Sequence, residues 1–323
     1  MSDLQDKPAE PSDASRSGWE RETLEKLAFA MLQEQQAARR WKNGLRLAWL
    51  LFFVLVSWAG WSYNAPASSP SMPHTAMVAI RGEIGPEGEA SAENIMAAMR
   101  SALEDSGSRA LVLLINSPGG SPVQAGLISD EVQRLKKLHG KPVYAVVEES
   151  CASAAYYIAA ASDRIYVDKA SIVGSIGVLV DGFGFTGLMD KLGIERRLMT
   201  AGENKGFLDP FSPQTEAQRK HAQAMLNQIH QQFIGVVKSG RGERLKETPE
   251  MFSGLFWTGQ QAVDMGLADA LGSLDGVARE VVKAAEVIDY TRHENVAERL
   301  AKRFGAAMGE ASVKALRAGT ALR

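Results

Sequence analysis

The chain has 323 residues, of which 45% are hydrophobic and 23% are charged, and its formal net charge at pH 7 is −2. This length exceeds one average domain and allows a sizeable core, while the near-neutral charge excludes a general affinity for nucleic acid. Cys151 is the only cysteine, so an intramolecular disulfide and cysteine-rich metal sites are also excluded.

An apolar segment interrupts the polar N-terminal part of the chain. Residues 47–63 carry no charged side chain, and about 20 apolar residues are enough to cross a bilayer. We therefore predict a transmembrane helix over residues 45–63. It follows a cytoplasmic segment, residues 1–44, that is disordered at first and amphipathic later. A buried core helix and a cleaved signal peptide are the alternatives, but the long segment ahead of the apolar run favours an uncleaved anchor.

The charges around the apolar segment predict its orientation. No Lys or Arg follows it until Arg81, whereas basic residues precede it at Arg39, Arg40, Lys42 and Arg46. By the positive-inside rule, the N-terminus lies in the cytoplasm and the chain after about residue 64 lies outside it. The expected localisation is the inner, cytoplasmic membrane in a single pass, with the main domain periplasmic or otherwise extracytoplasmic.

The rest of the chain alternates between strand and helix patterns. A linker of residues 64–74, rich in proline and serine, leads into a domain over residues 75–290, and residues 291–323 are predicted as an amphipathic helical tail. Strands are predicted over residues 76–80, 110–115, 143–147, 164–167 and 195–199. Helices are predicted to begin after Ser91 and to cover residues 123–138, 152–161 and 215–238. Repeated β-α units indicate an α/β fold with a largely parallel sheet.

Two loops that follow predicted strands carry candidate chemistry. Residues 116–120 read NSPGG, and glycines at positions 119 and 120 let backbone amides approach a ligand or a developing oxyanion. Ser153 precedes a run of alanines at the start of a predicted helix, where its hydroxyl can be held exposed in a cleft. Each pattern also has an ordinary interpretation, as a turn after a strand and as a serine that caps a helix.

A serine nucleophile needs a base. None of the histidines lies at a predicted strand end, where sites of α/β proteins gather; they are His74, His139, His221, His230 and His293. A lysine can replace histidine if its surroundings keep it uncharged. Lys205 follows the predicted strand 195–199 and is the candidate, although most loop lysines are simply exposed to solvent.

The order of these motifs resembles that of the signal peptide peptidase A family of serine peptidases. The similarity runs from about Val78 to Gly276 and includes the motifs NSPGG, CASAAYY, GSIGV, AGENK, SGRG and WTGQQA, the last followed by GLAD. The resemblance implies Ser153 as nucleophile and Lys205 as general base, with no metal and no cofactor. It also implies the fold of the crotonases and Clp proteases, a β-α spiral with a parallel sheet.

Further residues are expected to support these two. The amides of Gly119 or Gly120, together with that of Ala154, are the candidate oxyanion donors. Ser175, in the GSIGV motif, is expected to hydrogen-bond Lys205, and Cys151 is expected to be packing beside the site. This chain has Ala154 and Ala155 where the family has two glycines after the serine, which puts the contribution of the Ala154 amide in doubt.

The predicted function is that of a membrane-anchored serine endopeptidase with a Ser-Lys dyad. It would hydrolyse signal-peptide remnants or other membrane-proximal peptides outside the cytoplasm, so its expected partners are peptides, the lipid bilayer and further copies of itself. We expect a homo-oligomeric ring, in which Ser153 and Lys205 of one site come either from one subunit or from adjacent subunits. The alternatives are a Clp-type Ser-His-Asp peptidase, disfavoured by the histidine positions, and a non-catalytic oligomeric membrane scaffold of the same fold.

Overall fold

The structure, a computed structural model, describes residues 41–58 and 72–293. The chain divides into two compact units, Met1–Ser69 and Pro70–Arg323. In the first unit, residues 41–58 are helical (α1) and exposed. Within the described ranges, no helix combines the length and the apolar character that crossing a membrane requires. The predicted transmembrane segment 45–63 runs past residue 58, and the predictions for residues 1–40 and 294–323 lie outside the described residues.

The second unit is built around one sheet. Its strands are β1 (His74–Arg81), β2 (Ser108–Ser117), β3 (Val143–Ala152), β4 (Arg164–Val167), β5 (Ile172–Gly174), β6 (Phe256–Thr258), β7 (Ala270–Leu271) and β8 (Val287–Asp289). Its helices are α2 (Ala92–Glu104), α3 (Pro122–His139), α4 (Ala154–Ala159), α5 (Thr186–Leu192), α6 (Glu216–Arg241), α7 (Gly259–Asp264) and α8 (Leu274–Gly276). A 3-10 turn, Gly242–Arg244, follows α6, and a π-helical turn, Val277–Val282, follows α8.

The sheet has the strand order β6-β5-β3-β2-β1-β8; off this path, β4 pairs with β3, and β7 pairs with β4. All pairs of strands are parallel except β5 with β6. This arrangement confirms the predicted α/β class and largely parallel sheet. β3 divides the sheet, because its first half pairs with β4 and its end, at residues 150–152, pairs with β5.

The core explains why β2 reads as an uninterrupted apolar run. Leu111, Leu113 and Ile115 face the main cluster beneath α2, α3 and α4, whereas Val112 and Leu114 face a second cluster on the other side of the sheet. A strand buried on both faces has no solvent side and therefore shows no alternation.

Local capping agrees with the predicted helix starts. The Ser91 hydroxyl accepts the Asn94 amide at the start of α2, and Thr215 forms a capping box with Gln218 at the start of α6. The strand predicted over residues 195–199 is wrong: the segment is irregular and exposed, with no neighbouring strand to pair with. Strands β5 to β8 and helices α5, α7 and α8 were not predicted.

Candidate active site

Ser153 stands at the junction of β3 and α4. The strand is longer and the helix shorter than predicted, because Ser153 has φ 53° and ψ −123° and separates the two. A left-handed φ at a non-glycine residue costs about 1–3 kcal/mol and persists only where the surroundings enforce it. Here the Ser153 amide donates to the Gly174 carbonyl at 2.8 Å, and its carbonyl accepts the Tyr157 amide at 3.0 Å. The side chain makes no capping hydrogen bond, so the interpretation of Ser153 as a helix cap is wrong.

The NSPGG loop packs directly on this junction. Gly119 has φ 110°, and a Cβ placed on it would lie 2.7 Å from the Ser153 Cβ and 2.9 Å from the Ala152 carbonyl oxygen. A side chain at position 119 would therefore displace the serine. The loop is held from its other side by Ile84, whose amide donates to the Gly119 carbonyl and whose carbonyl accepts the Ser121 amide, both at 2.8 Å.

The amides of the two glycines differ in their availability. The Gly119 amide already donates to the Ser117 hydroxyl at 3.2 Å, in the interior of the protein. In the bridge between Ile84 and Gly120, the bonds use the carbonyl of residue 119 and the amide of residue 121. The Gly120 amide therefore points away from Ile84. Of the two glycines, Gly120 is the better oxyanion donor.

The alanines that replace the family's glycines fit their positions. Ala154 and Ala155 are both buried, and neither has a positive φ, because both lie in α4. Their methyl groups pack into the main core cluster. As the first residue of α4, Ala154 has an amide that needs no partner within the helix, so the substitution leaves this amide available beside Ser153.

Ser153 opens into a cavity of 640 Å³. Gly120, Ala154 and Ser175 line the cavity beside Ser153, so these predicted site residues are brought together. Apolar side chains make up much of the remaining wall: Tyr157, Val178, Leu179, Val180, Leu226, Ile229 and Phe233. The cavity therefore pairs a polar end at the serine with an apolar surface that suits hydrophobic side chains of an extended peptide.

Lys205 is not part of this cavity. It lies in an exposed turn, where its amide donates to the Gly202 carbonyl at 3.1 Å, and its side chain makes no hydrogen bond or ion pair with the described residues. The turn belongs to the arm, which we define as residues 178–215, and no residue of the arm is buried. Within one subunit, the structure therefore does not bring Lys205 to Ser153.

Two groups near Ser153 are structural. Cys151 is fully buried, and burial raises the pKa of its thiol, which keeps it protonated and unreactive. The Tyr156 hydroxyl donates to the Leu267 carbonyl at 2.7 Å, and burial raises its pKa as well. Across the described residues, no group of three or more His, Cys, Asp and Glu side chains is arranged to hold a metal ion.

The SGRG and GLAD motifs hold α6 against α4. Gly240 lies so close to the Ala160 carbonyl that a Cβ there would overlap it. The buried Arg241 guanidinium donates to the Gly266 carbonyl at 2.8 Å and forms an ion pair with Asp269 at 2.7 Å. Arg241 and its neighbours lower the pKa of Asp269 against the opposing effect of burial. These motifs therefore stabilise the frame around the site and do not enter it.

His230 lies close to the site, although its position in the sequence does not indicate this. The Nε2 atom of His230, on α6, lies 3.0 Å from the carbonyl oxygen of Ile176, the residue next to Ser175. A histidine inside a long polar helix gives no sequence signal for such a contact, because it joins residues that are far apart in the chain.

Comparison with known proteins finds similar proteins among peptidases. The sequence profile of Peptidase family S49 matches residues 135–288. A protein of Enterococcus faecium named as a signal peptide peptidase, SppA, is 32% identical over 203 residues, covering 61% of this chain and 59% of the relative. A protein of Methanocaldococcus jannaschii named as a protease is 33% identical over 197 residues, covering 59% of this chain and 63% of the relative. Residues 135–288 of this chain therefore resemble peptidase family S49.

The S49 match includes Ser153, Ser175 and Lys205 but begins after Gly119 and Gly120. Another relative, from Brucella abortus (strain 2308), carries the name Na(+)/H(+) antiporter NhaA. It is 44% identical over 182 residues, which cover 56% of this chain and 25% of that protein. The chain thus matches about a quarter of this relative and about three fifths of the other two. The S49 match and these relatives confirm the resemblance to signal peptide peptidase A.

Proposed function

We propose that this protein is a membrane-anchored serine endopeptidase with Ser153 as nucleophile and Lys205 as general base. The observation that supports this proposal best is the conformation of Ser153. Its strained backbone presents the side chain to an apolar cavity beside the amides of Gly120 and Ala154. Strain that the surroundings enforce is typical of nucleophiles on sharp strand-to-helix turns.

The proposed mechanism begins with attack of the Ser153 Oγ on a peptide carbonyl while its proton passes to the uncharged Lys205 amine. The Gly120 and Ala154 amides stabilise the oxyanion of the tetrahedral intermediate. Lys205 then protonates the leaving amine as the peptide bond breaks, which leaves an acyl-enzyme. Water hydrolyses the ester and gives its proton back through Lys205. Because only an uncharged lysine accepts a proton, the rate should rise with pH through a single ionisation.

We further propose that the lysine of each site comes from an adjacent subunit of a homo-oligomeric ring. An exposed lysine whose side chain makes no hydrogen bond or ion pair with the described residues is free to reach a neighbouring copy. In a ring, each subunit presents one face to the next, so every serine can meet the lysine of its neighbour. Closing such a contact would bring the Lys205 amine beside Ser153 and exclude water from the site. Ser175 lines the Ser153 cavity, and its hydroxyl would accept a hydrogen bond from the incoming Lys205 amine or donate one to it.

The apolar wall of the cavity suggests the substrates. Side chains such as Leu226, Ile229 and Phe233 would receive hydrophobic residues of an extended peptide. Signal-peptide remnants and other membrane-proximal peptides are rich in hydrophobic residues. The proposed anchor over residues 45–63, with the N-terminus in the cytoplasm, would hold the catalytic domain outside the cytoplasm and near such peptides. Reporter fusions after Gly276 test the orientation, and activity of a cytoplasm-only reporter there would reverse it.

A non-catalytic oligomeric scaffold is the competing function, and a fluorophosphonate probe separates the two. A peptidase should be labelled at Ser153, the label should disappear in Ser153→Ala, and Ser150→Ala should keep it. Ser150 is the matched control because its hydroxyl donates to the Ser117 carbonyl at the end of the same strand. Absence of Ser153-dependent labelling in a folded, assembled protein would favour the scaffold. A Clp-type triad stays disfavoured, since His221 is exposed and contacts Phe207.

A further inference from the structure

The loop beside the nucleophile is held by unusual backbone geometry. We call residues 174–177 the Ser175 turn. Gly174 and Ser175 have φ angles of 110° and 50°, and the Gly177 amide donates to the Ser175 carbonyl at 2.9 Å. This turn is joined directly to the site, because the Gly174 carbonyl accepts the Ser153 amide at 2.8 Å. A shift of the turn would therefore move both Ser153 and Ser175.

His230 completes the hydrogen bonding of this turn. A carbonyl oxygen only accepts, so the contact at 3.0 Å requires that His230 Nε2 carries the proton and donates to Ile176. It is the single hydrogen bond that the described residues offer to this carbonyl. Ile176 is fully buried, and a buried carbonyl without a partner is unfavourable. The peptide unit between residues 176 and 177 is thus fixed at both its oxygen and its N–H.

The same helix also forms part of the cavity wall. Leu226, Ile229 and Phe233 line the cavity from α6, and the spacing of residues 226, 230 and 233 places His230 on the same side of the helix. The contact between His230 and Ile176 therefore links the wall that would receive a substrate to the turn that supports Ser153.

We propose that His230 is a positioning residue of the Ser153 site. It fixes the Ser175 turn through its hydrogen bond to the Ile176 carbonyl. This inference rests on the proposed peptidase function. His230 acts by donating one hydrogen bond and takes no proton during the reaction. A side chain that donates from the same place without titrating should replace it, and a shorter one should not.

The test compares His230→Gln with His230→Asn in the full chain. The glutamine amide reaches approximately as far as Nε2 of histidine, whereas the asparagine amide is shorter by one methylene. We expect His230→Gln to keep the wild-type kcat and rate of fluorophosphonate labelling. His230→Asn should lower both about fivefold, the size of one lost neutral hydrogen bond, while KM changes less than kcat. His221→Gln and His221→Asn, on the same helix but exposed, are the controls and should change neither quantity.

The outcomes separate this inference from the proposed function. If wild-type protein shows no labelling at Ser153, the peptidase assignment fails, and His230 with it. If labelling depends on Ser153 but the His230→Asn and His230→Gln variants both match wild type, only the positioning role is overturned. If His230→Gln is as inactive as Ser153→Ala while its thermal unfolding is unchanged, His230 moves a proton and is not a positioning residue. Equal losses in the His221 variants would also overturn the proposal.

Discussion

The segment that carries Ser153 and the segment that carries Lys205 differ in how they are held. Ser153 lies between a strand and a helix that are buried in the core, and both its backbone groups are hydrogen-bonded. Lys205 lies in the arm, where large apolar side chains face solvent, including Leu179, Phe183 and Met199 at 79%, 78% and 93% exposure. One subunit fully determines the position of the serine, whereas it leaves the lysine without a defined partner.

This difference suggests that the arm needs a surface to pack against. Exposed apolar side chains are common singly, but a continuous segment of them marks an interaction surface. The arm is not devoid of internal order, since Arg196 lies 5.4 Å from the ring centre of Phe211 and forms an ion pair with Asp209. An arm with local structure but no buried residue is suited to packing against another copy, which is the arrangement that the proposed shared site needs.

Removing either member of the dyad should give the largest effect. We expect Ser153→Ala and Lys205→Ala each to lower peptidase activity by about a thousandfold or more, because the two act as a unit. Neither change should lower the unfolding temperature of a subunit much, since one side chain is small and the other is exposed. Lys191→Ala, an exposed lysine elsewhere in the arm, is the control. Near-normal activity of Lys205→Ala would remove the arm from the site altogether.

In the compact region that holds Ser153, the substitution Gly119→Ala should nearly abolish activity. The added Cβ would meet the Ser153 Cβ at 2.7 Å in a backbone with φ 110°, so the serine must move. A displacement of about 1 Å at a nucleophile can lower the rate about a hundredfold. We also expect a loss of about 1–3 kcal/mol in the free energy of unfolding.

Gly126→Ala is the matched control for this change. Gly126 lies within α3, where an added Cβ would meet no atom within 4 Å. Alanine is favoured over glycine inside a helix by about 0.5–1 kcal/mol, so this variant should be slightly more stable and fully active. Wild-type activity in Gly119→Ala would mean that the loop does not position Ser153.

Mixing the two inactive variants tests whether the arm completes a neighbouring site. Ser153→Ala and Lys205→Ala subunits are combined in equal amounts after reversible dissociation. An intact serine then meets an intact lysine at about one quarter of the junctions of a heterologous ring. Activity should therefore recover to about a quarter of the wild-type value. If verified mixed rings stay inactive, both residues of a site belong to one subunit, and the arm must fold back onto its own cavity.

The sequence predicted the compact region better than the arm for a physical reason. Burial leaves a local pattern, so the sequence alone indicated the apolar run of β2, the cap at Ser91 and the serine after β3. Residues 195–199 read ERRLM and hold two apolar side chains. A strand also needs a neighbouring strand, and local periodicity does not show which segments pair. The arm has no buried residue and therefore leaves no such pattern.

Details of the site follow the same division. The hydrogen bond from the Gly119 amide to the Ser117 hydroxyl spans two residues, a local pattern of serine that could have excluded Gly119 as the oxyanion donor. The contact of His230 with Ile176 spans 54 residues, and neither residue type predicts it. The resemblance predicted Ser153 as nucleophile and Lys205 as base. Only the structure shows that Lys205 lies outside the Ser153 cavity of its own subunit.

The smallest expected effect compares one ion pair from each region. Glu131, on α3, is 7% exposed and accepts hydrogen bonds from Arg134 and Arg100. The hydrogen bond from Arg134, aided by Arg100 and opposed by burial, lowers the pKa of Glu131 from 4.5 to about 2. In the arm, Glu195 and Arg197 form a pair in which both side chains are mostly exposed.

Glu131→Gln should therefore lower the free energy of unfolding at pH 7 by about 2 kcal/mol, whereas Glu195→Gln should have no measurable effect. Because the folded-state pKa of Glu131 is depressed, its contribution is complete above pH 4.5 and is lost as the pH falls towards 2. The difference between wild type and Glu131→Gln should shrink over that interval, as urea unfolding at several pH values would measure. A Glu195→Gln variant that is destabilised as much would show that the arm is held within the assembly as firmly as the core.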